Sequence, residues 1–322
     1  MPEFVFGDLP SFGVGRVRSL FLYPFSFDEF LSACNENLLL KAKNEASADT
    51  PLHNAIHQRL LSWLRKFLVL GGMPEVVANY VQGHDLMECQ GILDDLIISL
   101  KADFAKYRKG VPLLRLSEVF DSVVQQVGNK FKFTGVVSES NHKQIKEALD
   151  LLIMAALVIP VTHTSANGIP LGAESDLKKR KMLVFDTGVF QRLSGLNIQE
   201  ILSEENFDPV NKGYIAELFV GLELLKSSSC YHHQDLFYWH REALNSNAEV
   251  DYLIQKDREI IPVEVKSGTK GSMQSLFLFL KEKSRPYGIR YSLENFSSYG
   301  RIRSYPLYFV REIFRTPNLA EH

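Results

Sequence analysis

The chain has 322 residues and a formal net charge of −2. That length predicts two or three domains, and that charge excludes a wholesale electrostatic grip on nucleic acid, though not a local basic patch. Cys34, Cys89 and Cys230 lie far apart and match no zinc spacing; with no signal-peptide pattern and no apolar run of the roughly 20 residues that span a bilayer, a cytoplasmic protein without membrane contact is expected.

The first nineteen residues are rich in glycine and show little periodicity. Leu20 to Phe25 reads as a strand. Ser26 with Glu29 three residues on forms a capping box that should start a helix. A polar loop is expected from Lys43 to Pro51. His53 to Leu70 is an amphipathic helix, because Ile56, Leu60, Leu61, Leu64, Phe67 and Leu68 make one apolar stripe. Gly71-Gly72-Met73-Pro74 stops it. Two more helices, Pro74 to Val81 and Leu86 to Lys109, complete a helical bundle. His53 and His57 stand at helical i, i+4 spacing, yet with no third ligand in view they read as surface or half-buried residues rather than a metal pair.

From Leu113 the pattern changes. Leu116 to Val127 is a helix, Phe131 to Phe133 a short extended piece, and Asn141 to Ala155 a helix with Ile145, Ala148, Leu149 and Leu152 inside. A strand over Leu157 to Thr162 and an Asn167-Gly168 turn then suggest a hairpin. Three helices followed by a hairpin describe a winged helix, a fold that binds DNA or protein, or only connects domains. Its candidate recognition helix offers Lys143, Gln144 and Lys146 against Glu147 and Asp150. Lys178-Lys179-Arg180-Lys181 reads as a solvated basic loop before a strand from Met182 to Phe185.

The last third alternates between the two periods. Asp186-Thr187 caps a short helix ending near Gly195, and Tyr214 to Lys226 is a helix. Strands follow at Leu236 to Trp239, Ala248 to Ile254 and Ile260 to Lys266; then come a helix at Met273 to Lys283 and strands at Tyr287 to Tyr291 and Leu307 to Val310. Phe237, Tyr238 and Trp239 are assigned to the core. The predicted fold class is multidomain, mainly α then α/β: a helical region over 1–112, a winged helix over 113–180 and an α/β domain with a mixed sheet over 181–322.

The chemistry concentrates in one hairpin. Side chains alternate along a strand, so Glu264 and Lys266 share a face opposite Val263 and Val265. Val250, Tyr252 and Ile254 likewise alternate against Glu249, Asp251 and Leu253. Asp251, Glu264 and Lys266 are then presented together, and two carboxylates with a lysine on a rigid face suit a divalent cation and an activated water. The bland alternative is an ordinary amphipathic hairpin with charge on its wet face.

Together with Glu217 on the preceding helix, Asp251, Glu264 and Lys266 resemble the catalytic set of the PD-(D/E)XK, restriction-endonuclease-like superfamily. The likeness extends along the chain. Ser11 to Val17, Leu22 to Phe27, Gly71 to Glu75, Asp103 to Tyr107, Phe185 to Gly188 and Gly213 to Leu225 resemble segments of a prokaryotic family of AAA-type ATPases. In that family an ATPase core precedes a helical lid, a winged helix and a nuclease-like domain of unknown function. The resemblance implies a Mg²⁺ (or Mn²⁺) site on Asp251, Glu264 and the Val265 carbonyl. It implies Lys266 positioning or deprotonating water, and Glu217 as an outer-shell or second-metal carboxylate. Its partners would be nucleic acid, an ATPase or another protein.

The chain departs from that family in one respect. No Gly-x-x-x-x-Gly-Lys-Ser/Thr occurs, and Gly268-Thr269-Lys270-Gly271-Ser272 has the letters in the wrong order. ATP is therefore not an expected cofactor, and the chain is expected to begin where the ATPase core of such relatives ends. Arg16 would complete a nucleotide site only in full-length relatives. Two functions follow: metal-dependent phosphodiester hydrolysis on nucleic acid, or a non-catalytic protein- or DNA-interaction module with a vestigial nuclease-like site.

Overall fold

A computed structural model of the chain describes residues 18–104, 111–136, 142–195, 213–241, 247–268 and 271–314. Helices dominate its first half: α1 (Phe27–Ala33), α2 (Asn37–Glu45), α3 (Asn54–Leu70), α4 (Pro74–Val81), α5 (Leu86–Asp103), α6 (Leu113–Gln126) and α7 (His142–Met154). The second half holds β1 (Val158–Thr164), β2 (Ser175–Val184), α8 (Thr187–Ser194), α9 (Gly213–Lys226), β3 (Leu236–His240), β4 (Glu249–Lys256) and β5 (Glu259–Val265). It ends with α10 (Gln274–Glu282), β6 (Gly288–Ser292), β7 (Ser297–Tyr299), β8 (Ile302–Pro306) and a 3₁₀ helix at Leu307–Phe314. Mainly α then α/β is the observed class. Among the described residues no helix is long and apolar enough to cross a membrane.

The expected caps act where the sequence puts them. Ser26 and Glu29 exchange the two bonds of a capping box at α1, and Asp186 accepts the Val189 N–H at the start of α8. Each satisfies a backbone donor that a first helical turn leaves orphaned. His53 caps α3 through the Ala55 N–H. His57 is buried, with its ring nitrogens on Tyr308 Oη (2.7 Å) and the Leu293 carbonyl (3.1 Å). The two histidines do not form a metal pair.

All eight strands form one mixed sheet in the order β2-β1-β3-β4-β5-β6-β8-β7. The β1–β2 hairpin that completes the winged-helix pattern is continuous with it, because β1 pairs in parallel with β3 from Val161↔Leu236 to His163↔Tyr238. The sheet therefore crosses the expected boundary at residue 180, which falls inside β2.

Several expectations need correction. Leu20 to Phe25 is not a strand; Phe21 and Phe25 each donate one backbone bond, to Cys230 and Gly72, and Pro24 has no N–H to continue a ladder. Lys43 lies in α2 rather than in a loop. The basic run from Lys178 to Lys181 lies within β2. Leu307 to Val310 begins the 3₁₀ helix, since a short apolar run buried on all sides fits a helix as well as a strand. The Phe131–Phe133 piece is not a strand: a single bridge, Lys130↔Lys181, precedes it, and Phe133 already begins a 3₁₀ turn. Arg16, the Ser11–Val17 segment and residues 105–107 lie outside the described residues.

The helical region is joined tightly to the α/β region. Gly71 has φ +74°, and a Cβ there would come within 2.1 Å of Asp186 Oδ1, so only glycine allows this approach. The Asp186 carboxylate, completely buried, also accepts the Gly72 N–H at 2.7 Å. Gly221 does similar work in α9, where a Cβ would lie 2.4 Å from Tyr252 Oη. This closeness sets α9, and Glu217 with it, against β4.

Candidate functional site

Four carboxylates meet at one end of the sheet. Asp251 begins the argument because of how β4 pairs. Phe237 aligns with Leu253 and Trp239 with Val250, so Asp251 and Tyr252 together oppose the single residue Tyr238. Two residues against one is a β-bulge, a device that redirects side chains and is common beside active sites. Its effect is visible in the contacts. Val250 and Leu253 pack with Trp239 and Phe279, whereas Tyr252 donates its hydroxyl to the Glu217 carbonyl at 2.8 Å. Asp251 faces the same side, 3.9 Å from Lys181 Nζ. The expected strict alternation of Tyr252 against Asp251 is thus broken by the bulge.

The β4–β5 register runs from Lys256↔Glu259 to Tyr252↔Val263. Beyond that pair, Asp251 Oδ2 accepts the Val265 N–H at 2.7 Å. Val263 and Val265 turn into the core as expected. Glu264 bonds Lys266 Nζ through Oε1 at 2.5 Å. Its other oxygen, Oε2, is buried and has no hydrogen-bond partner among the described residues. Such an acceptor costs on the order of 1–3 kcal/mol unless something fills it.

The sequence did not single out the cation at the centre. Lys181 of β2 is 1 % exposed, with Nζ 2.8 Å from Glu217 Oε1 and 2.5 Å from Glu249 Oε1. Its ammonium also lies 5.4 Å from the centre of the Tyr238 ring. Lys130, bridged to Lys181 through the backbone, stands 3.7 Å from Glu249 Oε2 at the rim. The structure thus gathers Glu217, Asp251, Glu264 and Lys266, as expected, and adds Glu249, Lys181 and Lys130. Glu249 could have been found by its spacing two residues before Asp251. Lys181 carried only one signal, its place beside the apolar run Met182-Leu183-Val184.

The electrostatics follow from the count. Burial pushes Lys181 down, but Glu217, Asp251 and Glu249 outweigh it and hold the ammonium well above the usual lysine range. One ammonium cannot serve every acid beside it. Burial raises Glu217 to about 7 against the pull of Lys181. Burial and then Asp251 raise Glu264 to about 7 against Lys266. Burial raises Asp251 too, opposed by Lys181 and the Val265 N–H. Among the described residues, four carboxylates against the ammoniums of Lys181, Lys266 and Lys130 leave one negative charge in excess; burial is the first cause of the raised pKa values, and the neighbouring acids add to it.

Among the described residues no group of three or more His, Cys, Asp and Glu side chains converges on a metal position. Mg²⁺ does not need one, since it keeps several waters and takes one or two carboxylates. Asp251 and the orphaned Glu264 Oε2 fit that demand, and Val265 lies beside them through its N–H.

Two family models match the chain, each a domain of unknown function: DUF8612 over residues 61–200 and DUF4143 over residues 212–309. No curated protein and no solved structure matches. The site spans both matched segments, with Lys130 and Lys181 in the first and the four carboxylates and Lys266 in the second.

Proposed function

We propose that this chain is a nuclease-like protein that hydrolyses phosphodiester bonds in nucleic acid with Mg²⁺ or Mn²⁺. The observation that carries this reading is the buried Glu264 Oε2 beside Asp251, which among the described residues has no hydrogen-bond partner and sits in a cluster with one negative charge in excess. Asp251, Glu264 and the Val265 carbonyl would hold the cation. When bound, it would lower the pKa of its water and draw charge from the phosphate oxygens. Lys266, held on Glu264 with its side chain 27 % exposed, orients the water and faces the developing negative charge. Glu217 anchors Lys181, which keeps the carboxylates together. The charges also balance: a dication leaves the cluster one unit positive, and a phosphodiester neutralises that unit.

The DUF4143 domain is often found in AAA-ATPase-associated proteins, which supports the ATPase-linked setting that the sequence motifs suggest. In that setting this chain acts as the nuclease-like partner of an ATPase and binds no ATP itself. A second reading, a non-catalytic module with a vestigial site, is favoured by Lys181, whose ammonium already occupies the middle of three carboxylates.

Calorimetry with Mg²⁺ and Mn²⁺, paired with cleavage of labelled single- and double-stranded DNA and RNA, separates the two. The nuclease reading expects cation binding and cleavage that Asp251→Ala and Glu264→Ala abolish. No cation binding by the parent chain, or binding those variants retain, would overturn it. Binding without cleavage of any substrate would leave the second reading.

A further inference from the structure

A pocket of about 350 Å³ opens at the end of β3, lined by residues that include His163, Ser165, His240, Arg241 and Lys283, and Glu249 of the carboxylate cluster pairs with His240 of its wall. We propose that this pocket seats a phosphate group of the nucleic acid strand whose neighbouring linkage reaches Asp251 and Glu264. The proposal rests on the nucleic-acid reading above and adds to it where the strand is gripped.

Position comes first. His240 pairs with Glu249 across β3 and β4, and the Arg241 N–H donates to the Ala248 carbonyl at 2.9 Å. Glu249 in turn bonds Lys181. One residue pair therefore links the pocket wall to the carboxylates.

Chemistry comes second. The lining carries the guanidinium of Arg241 and the ammonium of Lys283 against one carboxylate, Glu282. Glu282 takes Nε and Nη2 of Arg241, at 2.7 and 2.6 Å, which leaves Nη1 directed away from that carboxylate. Lys283 is steadied by Asn167 Oδ1 at 2.7 Å. His163, 2 % exposed, places Nε2 on the His240 carbonyl at 3.2 Å, and among the described residues its buried Nδ1 has no partner. The ring therefore shapes the wall, and the cationic grip belongs to Arg241 and Lys283. Burial and then Lys130 hold the His240 imidazole below its usual range, against the pull of Glu249, so this ring adds no charge. The lining's positive charge is that of Lys283 and Arg241, offset in part by Glu282. A nucleic acid strand needs both charges: cations for the phosphate it rests on, and anions plus a metal for the phosphate it loses. The volume lies at the lower end of the range for small-ligand sites and suits one phosphate with its sugar.

The test uses the full chain with chelator present, so that binding is read without cleavage. Fluorescence anisotropy compares a single-stranded oligonucleotide carrying a 5′-phosphate with its 5′-hydroxyl counterpart, and inorganic phosphate serves as competitor. Arg241→Ala/Lys283→Ala alters two surface side chains, and circular dichroism checks its fold. Loss of the two cationic contacts should weaken oligonucleotide binding at least about tenfold. Preference for the 5′-phosphate and competition by inorganic phosphate would place a strand end in the pocket. Equal affinity for the two oligonucleotides, still lost in the double variant, would place an internal phosphate there. Unchanged binding in the double variant, or no binding by the parent chain, would overturn the proposal. If the pocket contrast holds but no substrate is cleaved with Mn²⁺, the phosphate seat stands and hydrolysis falls.

Discussion

Among the described residues, Lys43 and Lys181 are both completely buried beside carboxylates, and they differ in a way that separates scaffold from site. Lys43 of α2 is completely buried, 2.9 Å from Asp28 Oδ1 and 3.0 Å from Glu312 Oε1. Arg311 also acts on Asp28, so that cluster holds two acids and two bases. Its members tie α1 and α2 to the 3₁₀ helix at Leu307–Phe314. Around Lys181, among the described residues, the acids exceed the bases, one carboxylate oxygen has no partner, and Lys266 borders solvent. A balanced buried cluster asks for nothing more. An unbalanced one with an edge to water is built to take a cation.

The largest test removes each ammonium. Lys43→Met and Lys181→Met should each cost about 3–5 kcal/mol in urea unfolding, because each strands buried carboxylates. The comparison predicts different rescues. Replacing Lys43, Asp28 and Glu312 together by Met, Leu and Leu should recover most of the loss, as a buried ion cluster tolerates apolar exchange. Millimolar Mn²⁺ should restore Lys181→Met and leave Lys43→Met unchanged. If Mn²⁺ rescues neither or both, the distinction drawn here is wrong.

The next test is pH. Glu217 and Glu264 sit at about 7 in the fold, above the unfolded carboxylate value. The folded state therefore holds more protons than the unfolded one between roughly pH 4.5 and 7, and stability contributed by these groups falls as pH rises through that window. Cation binding needs the ionised forms, so Mn²⁺ affinity should climb from pH 6 to pH 8. Calorimetry at those pH values measures the climb, and a flat profile would contradict the assignment. Glu264→Gln should weaken binding and flatten whatever slope remains.

How much of this was legible differs residue by residue. Asp251, Glu264 and Lys266 were readable because β-alternation is local and their charges interrupt apolar strands. Glu217 required the resemblance, since nothing local says which helix face meets a distant strand. Lys181 was hidden in a basic run. Whether a strand lysine is solvated or buried depends on what lies beside the strand, and here that is Lys130 and the acids of α9 and β4. Lys43 was hidden for the same reason, its partners lying 15 and 269 residues away. The helices were legible from their stripes and caps. The continuity of β1 and β2 with the main sheet was not, because parallel pairing of β1 with β3 joins segments more than 70 residues apart. The bulge at Asp251 arises where β4 pairs with β3 and leaves no mark on its own strand's pattern.

The smallest expected change in stability is at Lys266, and it is the most informative about chemistry. Among the described residues the lysine, which borders solvent, pairs with Glu264 alone. Lys266→Met strands one carboxylate where Lys181→Met strands three, so it should cost less in unfolding than Lys181→Met does. The Glu264 carboxylate would lose its remaining partner, so Mn²⁺ affinity should hold or rise. Cleavage should nevertheless vanish, since the group that orients water and meets charge at the phosphate is gone. Lys266→Arg should keep the pairing and recover little activity, because a planar guanidinium does not occupy the place of a compact ammonium. Lost cleavage with intact metal binding would make Lys266 a working part of the site. Lost metal binding would make it a brace for Glu264, and the distinction between the two buried lysines would then rest on Lys181 alone.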